Sequence, residues 1–170
     1  MNFLKEIKAE LTQEAAVTRK FLEQVDFSHS EFKPHPKSEK FGRLAVHVAE
    51  LLMWWENCLT TNELNFEGFE PKEFNQTEEL LAYFDELLFK VLNLLETAED
   101  SILTERWQMK LGNELLFESN KKEVLRKFCM NHLVHHRAQL GMYLRLLNIP
   151  VPATYGPSED EGEILLIEEY

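Results

Sequence analysis

Four stretches of this chain repeat apolar residues at the 3.6-residue spacing of an α-helix, and no strand-like alternation of comparable length lies between them. The first, about 2–26, carries Phe3, Ile7, Leu11, Ala15, Phe21, Leu22 and Val25, with charged residues filling the gaps. The second, about 39–61, has Ser38 as its candidate N-cap and an apolar face of Leu44, His47, Val48, Leu51, Leu52 and Trp55. The third, about 76–97, follows an Asn75/Glu78 pair of capping-box type and carries Leu80, Leu81, Phe84, Leu87, Leu88, Val91, Leu94 and Leu95. The fourth, about 120–148, is read as capped by Ser119. Its stripe is Leu125, Phe128, Cys129, His132, His136, Leu140, Tyr143, Leu144 and Leu147, and it ends before Pro150.

The segments between them break the helical period. Pro34 and Pro36 exclude helix interior, and Asn62 to Pro71 reads as a polar, Gly-containing loop. Over 101–118, Trp107, Met109 and Leu111 alternate with polar residues ahead of Gly112 and Asn113, which predicts a short hairpin or an ordered loop. The expected fold is therefore all-α: an up-down four-helix bundle with that hairpin or loop before the last long helix. A length of 170 residues suits a single domain, 1–170. Within it, 159–170 is a candidate loose tail, and the apolar run from Glu163 to Ile167 is either a terminal strand or loose.

A formal charge of -12 without any basic stripe argues against nucleic acid as a partner. The run from Leu51 to Trp55 is far too short to span a bilayer, and the charged N-terminal segment does not read as a signal peptide. Two cysteines, Cys58 and Cys129, both on helical patterns, suit a reducing compartment. Together these features predict a cytoplasmic protein with no membrane partner.

Three histidines stand on the inward stripes. His132 and His136 are four apart, so one lies above the other on a single helix face, and a facing helix can supply His47. Three imidazoles with open positions left over are the pattern of a catalytic divalent-metal site. Spacing alone leaves a second role open, that of satisfied core histidines. His135 lies about 100° around the helix from His136 and so points to the flank, outside the ligand set. Cys129 reads more naturally as a small buried hydrophobe than as a thiolate ligand. Glu50, three residues after His47, is either a ligand-orienting base or a solvated helix charge, and the Trp54–Trp55 pair reads as core packing.

The stretch Asn131 to Arg145 (NHLVHHRAQLGMYLR), the following Ile149 to Ser158 (IPVPATYGPS) and Lys37 to His47 (KSEKFGRLAVH) resemble the DinB/YfiT-like superfamily. Ala138 stands where that pattern has glycine. The resemblance implies a four-helix bundle, often a homodimer, whose metal ligands map onto His47, His132 and His136, with zinc or nickel as the usual ion. Some members of that superfamily resemble thiol-dependent transferases or isomerases, which implies S-transfer between a small-molecule thiol and an electrophile; a metal-bound hydroxide at the open position would instead give a hydrolase. Glu50, Arg137 and Tyr155 are then the candidate catalytic helpers, while Gln139 and Arg145 read as helix-packing or surface residues. Competing readings are a metal-dependent structural or stress-response protein and a small-ligand binder without turnover.

Overall fold

The apolar stripes fold into long helices that bury them against one another. The computed structural model describes residues 3–161, so the apolar run from Glu163 to Ile167 lies outside the described residues. Helix α1 spans Phe3–Glu23, α2 Phe41–Thr60 and α3 Thr77–Thr97. The last long helical segment is composite: a turn of α-helix, α4 (Lys121–Val124), a π-helical stretch (Leu125–Met130), and α5 (Asn131–Leu146). Helix α1 packs on α3 and α5, and α2 packs on the same two helices. The shared core includes Leu11, Leu22, Phe41, Leu51, Leu52, Trp55, Phe84, Leu125, Leu133 and Leu140, all fully buried.

The all-α expectation is corrected by a three-stranded sheet. Strands β1 (Glu63–Asn65), β2 (Arg106–Leu111) and β3 (Glu114–Asn120) lie in the order β1-β2-β3. The expected hairpin is β2–β3, antiparallel, with Leu111 opposite Glu114 across the Gly112–Asn113 turn. Gly112 has φ +58, a left-handed conformation that glycine adopts without steric cost. The segment read as a polar loop contributes β1, which runs parallel to β2 and sets Leu64 opposite Met109. Trp107 is fully buried, and its Nε1 donates to Asn57 Oδ1 at 2.9 Å, which ties the sheet to α2.

Three expected caps are also corrected. At the start of α2 neither Ser38 nor the N-cap residue Lys40 supplies a side-chain cap. The first-turn amides, which have no intrahelical partner, are met instead by loop carbonyls: Phe41 N–H donates to Phe32 O at 2.9 Å, and Gly42 N–H to Ser30 O at 3.0 Å. At α3 the Asn75/Glu78 box does not form; Gln76 is the N-cap, without a side-chain bond. At α4 strand β3 continues through Ser119, which pairs with Trp107, so Asn120 becomes the cap and accepts from Glu123 N–H at 3.0 Å.

The expectation of one regular helix over 120–148 yields to the π-helical stretch. Lys121, Leu125, Cys129, Leu133, Arg137 and Gly141 are buried at every fourth position. A regular α-helix drifts about 40° per four residues, so such a pattern would spiral off the core. A π turn holds more residues and takes up that drift. It ends at Met130, two residues before His132.

Gly42 is where the loop before α2 touches the helix. A Cβ there would lie 2.8 Å from Ser30 Cβ and 3.2 Å from Ser30 Cα. Gly42→Ala gains about 1 kcal/mol of helix propensity. The overpacking penalty of about 1–3 kcal/mol, set against backbone that also holds the helix start, outweighs it. Urea unfolding is therefore expected to show a lower midpoint for Gly42→Ala than for the parent; an equal or higher midpoint would refute the close packing described.

Candidate metal centre

Helix α2 presents His47 toward α5, and α5 presents His132 and His136 toward α2. One nitrogen from each of the three rings lies within 4.8 Å of the others, and the rings are half-buried. Ring centroids are 5.4 Å apart for His47–His132, 4.7 Å for His47–His136 and 4.6 Å for His132–His136. Tetrahedral zinc with bonds of 2.0–2.1 Å separates its ligand atoms by about 3.3 Å, so small side-chain adjustments suffice to seat an ion.

The hydrogen bonds around the rings match what a metal site requires. His136 Nδ1 donates to Gln139 Oε1 at 2.7 Å, which leaves the Nε2 lone pair directed at the other rings. His136 Nε2 lies 2.8 Å from His132 Nε2, a hydrogen bond in which His132 is then the donor. That tautomer leaves His132 Nδ1 buried and without a hydrogen-bond partner of good geometry. The neighbouring acceptor is the Phe128 carbonyl, which belongs to the π-helical stretch and favours a proton on this ring. Moving the proton to Nδ1, on the side of that carbonyl, frees Nε2 as a ligand atom, so the residues present fit a divalent ion.

Electrostatics points the same way. Burial, reinforced by His136, His132 and then Arg43, lowers the His47 pKa to about 3. Burial and His136 lower His132 to about 4 against the Phe128 carbonyl, and burial lowers His136 against its bond to Gln139. All three imidazoles are neutral at pH 7, the form that binds metal.

The structure brings Glu50 to this site but not Arg137 or Tyr155. Glu50 is 3% exposed; its Oε1 accepts from Lys72 N–H at 2.9 Å, and its Oε2 lies 2.7 Å from Arg43 Nη2 and 4.0 Å from His47 Nδ1. The Arg43 ion pair is close but poorly angled, since Glu50 Oε2 and Arg43 Nη1 both lack a well-formed hydrogen bond. Arg137, 2% exposed, turns instead to α1: it pairs with Glu14 at 2.6 Å, and its Nη2 donates to Tyr155 Oη at 2.7 Å. The Tyr155 hydroxyl in turn donates to the Glu14 carboxylate at 2.8 Å. These three groups clamp the segment after α5 onto α1.

Other candidates separate cleanly. His135 is exposed and outside the three-nitrogen group. Cys129 is fully buried with its thiol pushed well up by burial, and Cys58 is pushed up to about 12 for the same reason, so both are core thiols. Arg145 pairs with Asp160 at 2.6 Å on the surface. Trp55 is core, whereas Trp54 stands edge-on to His132 with centroids 5.1 Å apart. Gln139, read from sequence as packing or surface, is exposed, and what was missed is its bond to His136, for which its position three residues on was the available signal. Arg43 was missed as well.

Two clefts meet at His47 and Arg43. One, about 500 Å³, is lined by Met53, Trp54, Leu64, Phe66 and Phe69. The other, about 550 Å³, is lined by Lys37, Ser38, His136, Gln139 and Tyr143. No helix among the described residues is long and apolar enough to cross a membrane.

Comparison with known proteins adds the following. A family model described as "DinB family" matches residues 1–169. The fold is similar to that of a DinB-like protein, YjoA, from Bacillus subtilis: TM-score 0.67 and 18% identity, covering 94% of this chain and 99% of that one. It is also similar to a DinB-like protein from Bacillus cereus: TM-score 0.67 and 17% identity, covering 89% and 97%. No curated protein matches the sequence.

Two outcomes are expected. Gln139→Ala removes the acceptor behind His136 and lowers zinc affinity about 10- to 100-fold in calorimetric titration; unchanged affinity would remove Gln139 from the site. In metal-free protein the lowered histidine pKa values make the unfolded chain bind more protons between about pH 6.5 and pH 3. The histidine contribution is thus complete above pH 6.5 and lost as pH falls through that window. Thermal melts should show a smaller loss between pH 7 and pH 5 for His47→Gln/His132→Gln than for the parent; equal losses would contradict the neutral buried state.

Proposed function

The chain belongs to the DinB family, and on that footing we propose that it holds one divalent ion, zinc or nickel, with His47, His132 and His136 and transfers a small thiol to an electrophile. The observation that carries this is the convergence of three half-buried imidazoles, kept neutral by burial, with His136 held from behind by Gln139. When bound, such an ion lowers the pKa of a coordinated thiol or water and so supplies a nucleophile at neutral pH.

The rest of the work falls to the chain's own residues. Gln139 fixes the His136 ring. Glu50 holds Arg43 between the two clefts, which places a cation and its counter-charge beside His47. Lys37, Ser38 and Arg43 give the polar cleft donors for a hydrophilic thiol. Arg137 and Tyr155 serve the proposal from a distance, by fastening α5 to α1 through Glu14. The ring of four helices is read as an up-down bundle around this site.

Elemental analysis of purified protein, with His47→Ala and His136→Ala beside it, tests the metal. About one ion per chain is expected in the parent, with loss in both variants; a parent that neither carries nor takes up zinc or nickel would sink the reading. Conjugation of cysteine or glutathione to a model haloarene tests the reaction. A metal-dependent rate that falls to background in His136→Ala is expected. Stoichiometric metal without any such rate would favour the structural or ligand-binding alternative.

A further inference from the structure

We propose that the apolar cleft beside His47 is a binding subsite for an uncharged, ring-bearing small molecule. The proposal rests on the metal reading for what the ligand does there, but not for its binding.

Size and lining come first. A volume of about 500 Å³ is that of a small-molecule pocket, and its walls are mainly apolar and aromatic. The aromatic rings form a continuous path. Trp54 stands edge-on to His132 at 5.1 Å, Phe66 lies 5.6 Å from Trp54 and tilted to it, and Phe69 meets Phe66 edge-on at 6.2 Å. The rings pack directly on one another and so form one continuous aromatic wall along the cleft. Phe69 remains 42% exposed on an otherwise polar loop, an apolar side chain turned over the cleft rather than into the core.

The far wall is also held in place. Phe66 N–H donates to Lys110 O at 2.9 Å, directly after β1. Asn65 Oδ1 accepts from Gly112 N–H at 2.9 Å, and its Nδ2 donates to Gly112 O at 3.1 Å. Asn57 Nδ2 donates to Glu63 O at 3.1 Å, which fastens the same segment to α2. The small sheet therefore props Leu64, Phe66 and Phe69 opposite Met53 and Trp54, and little ordering is left for a ligand to impose.

Charge disfavours an anionic occupant. Arg43 at the inner end is paired with Glu50, so neither presents a free charge, and Glu56 lines the cleft as a further carboxylate. An anion would meet that carboxylate and a chain of net charge -12. Because His47 also lines the cleft, a bound ring abuts the three-histidine site.

The test titrates 2-naphthol, and its anionic counterpart 2-naphthalenesulfonate, into metal-free and zinc-loaded protein. The Trp54 indole N–H resonance is followed, assigned by its loss in Trp54→Phe. Saturable shifts with 2-naphthol in at least one form are expected, with sulfonate binding about tenfold weaker or worse. Phe66→Ala/Phe69→Ala should weaken 2-naphthol about tenfold or more, while Phe89→Ala, on the exposed face of α3, leaves it unchanged. Melting curves establish that the variants are folded. Absence of saturable shifts in both forms, equal affinity in the double variant, or preference for the sulfonate would each overturn the subsite. Binding to a protein that takes up no metal would uphold the subsite while the metal reading fails.

Discussion

Three imidazoles stay within a few ångström of one another in a half-buried space only while they carry no charge, and the candidate centre depends on that constraint. A proton on any ring would be a desolvated cation facing two neighbours. Burial lowers all three pKa values, and the close rings add to it for His47 and His132. The same neutrality leaves lone pairs directed inward, which is what a divalent ion needs. A site that would repel its own protonated form is thereby suited to an external cation.

Neutral rings make a site only if the helices that carry them are held in register. His47 comes from α2 and the other two from α5, so the packing of these helices sets the separation. The π-helical stretch keeps Leu125, Cys129 and Met130 on the core and ends two residues before His132. Behind α5, the buried Arg137–Glu14 pair with Tyr155 anchors the opposite face to α1. Breaking one partner of such a pair leaves an uncompensated buried charge and costs about 3–5 kcal/mol. These residues therefore bear on the site through its geometry, although they do not touch it.

Helical periodicity made the four long helices and the three inward histidines legible, and it set His135 apart, because helix faces are written in spacing. The rest depended on contacts that spacing does not encode. The starts of α2 and α3 are settled without the expected side-chain caps, at α2 by carbonyls from a loop distant enough to be invisible locally. Strand β1 has three residues, too short to show alternation, and it forms because β2 offers a free edge beside Trp107. With it went the aromatic wall of Phe66 and Phe69. Arg137, named as a candidate helper, follows His136 in sequence, yet one residue along a helix is about 100° around it, enough to turn its side chain to α1. Gln139 is exposed, as read, and its bond to His136 went unread although three residues along returns to the same face.

The central claim is that His47, His132 and His136 together hold a single divalent ion. Anomalous diffraction from crystals grown with zinc, recorded on both sides of the zinc absorption edge, tests it most directly. The account predicts one strong peak about 2.0–2.2 Å from a nitrogen of each ring, with the Gln139 contact retained behind His136. An absent peak, or one bound by His135 or surface carboxylates instead, would contradict it.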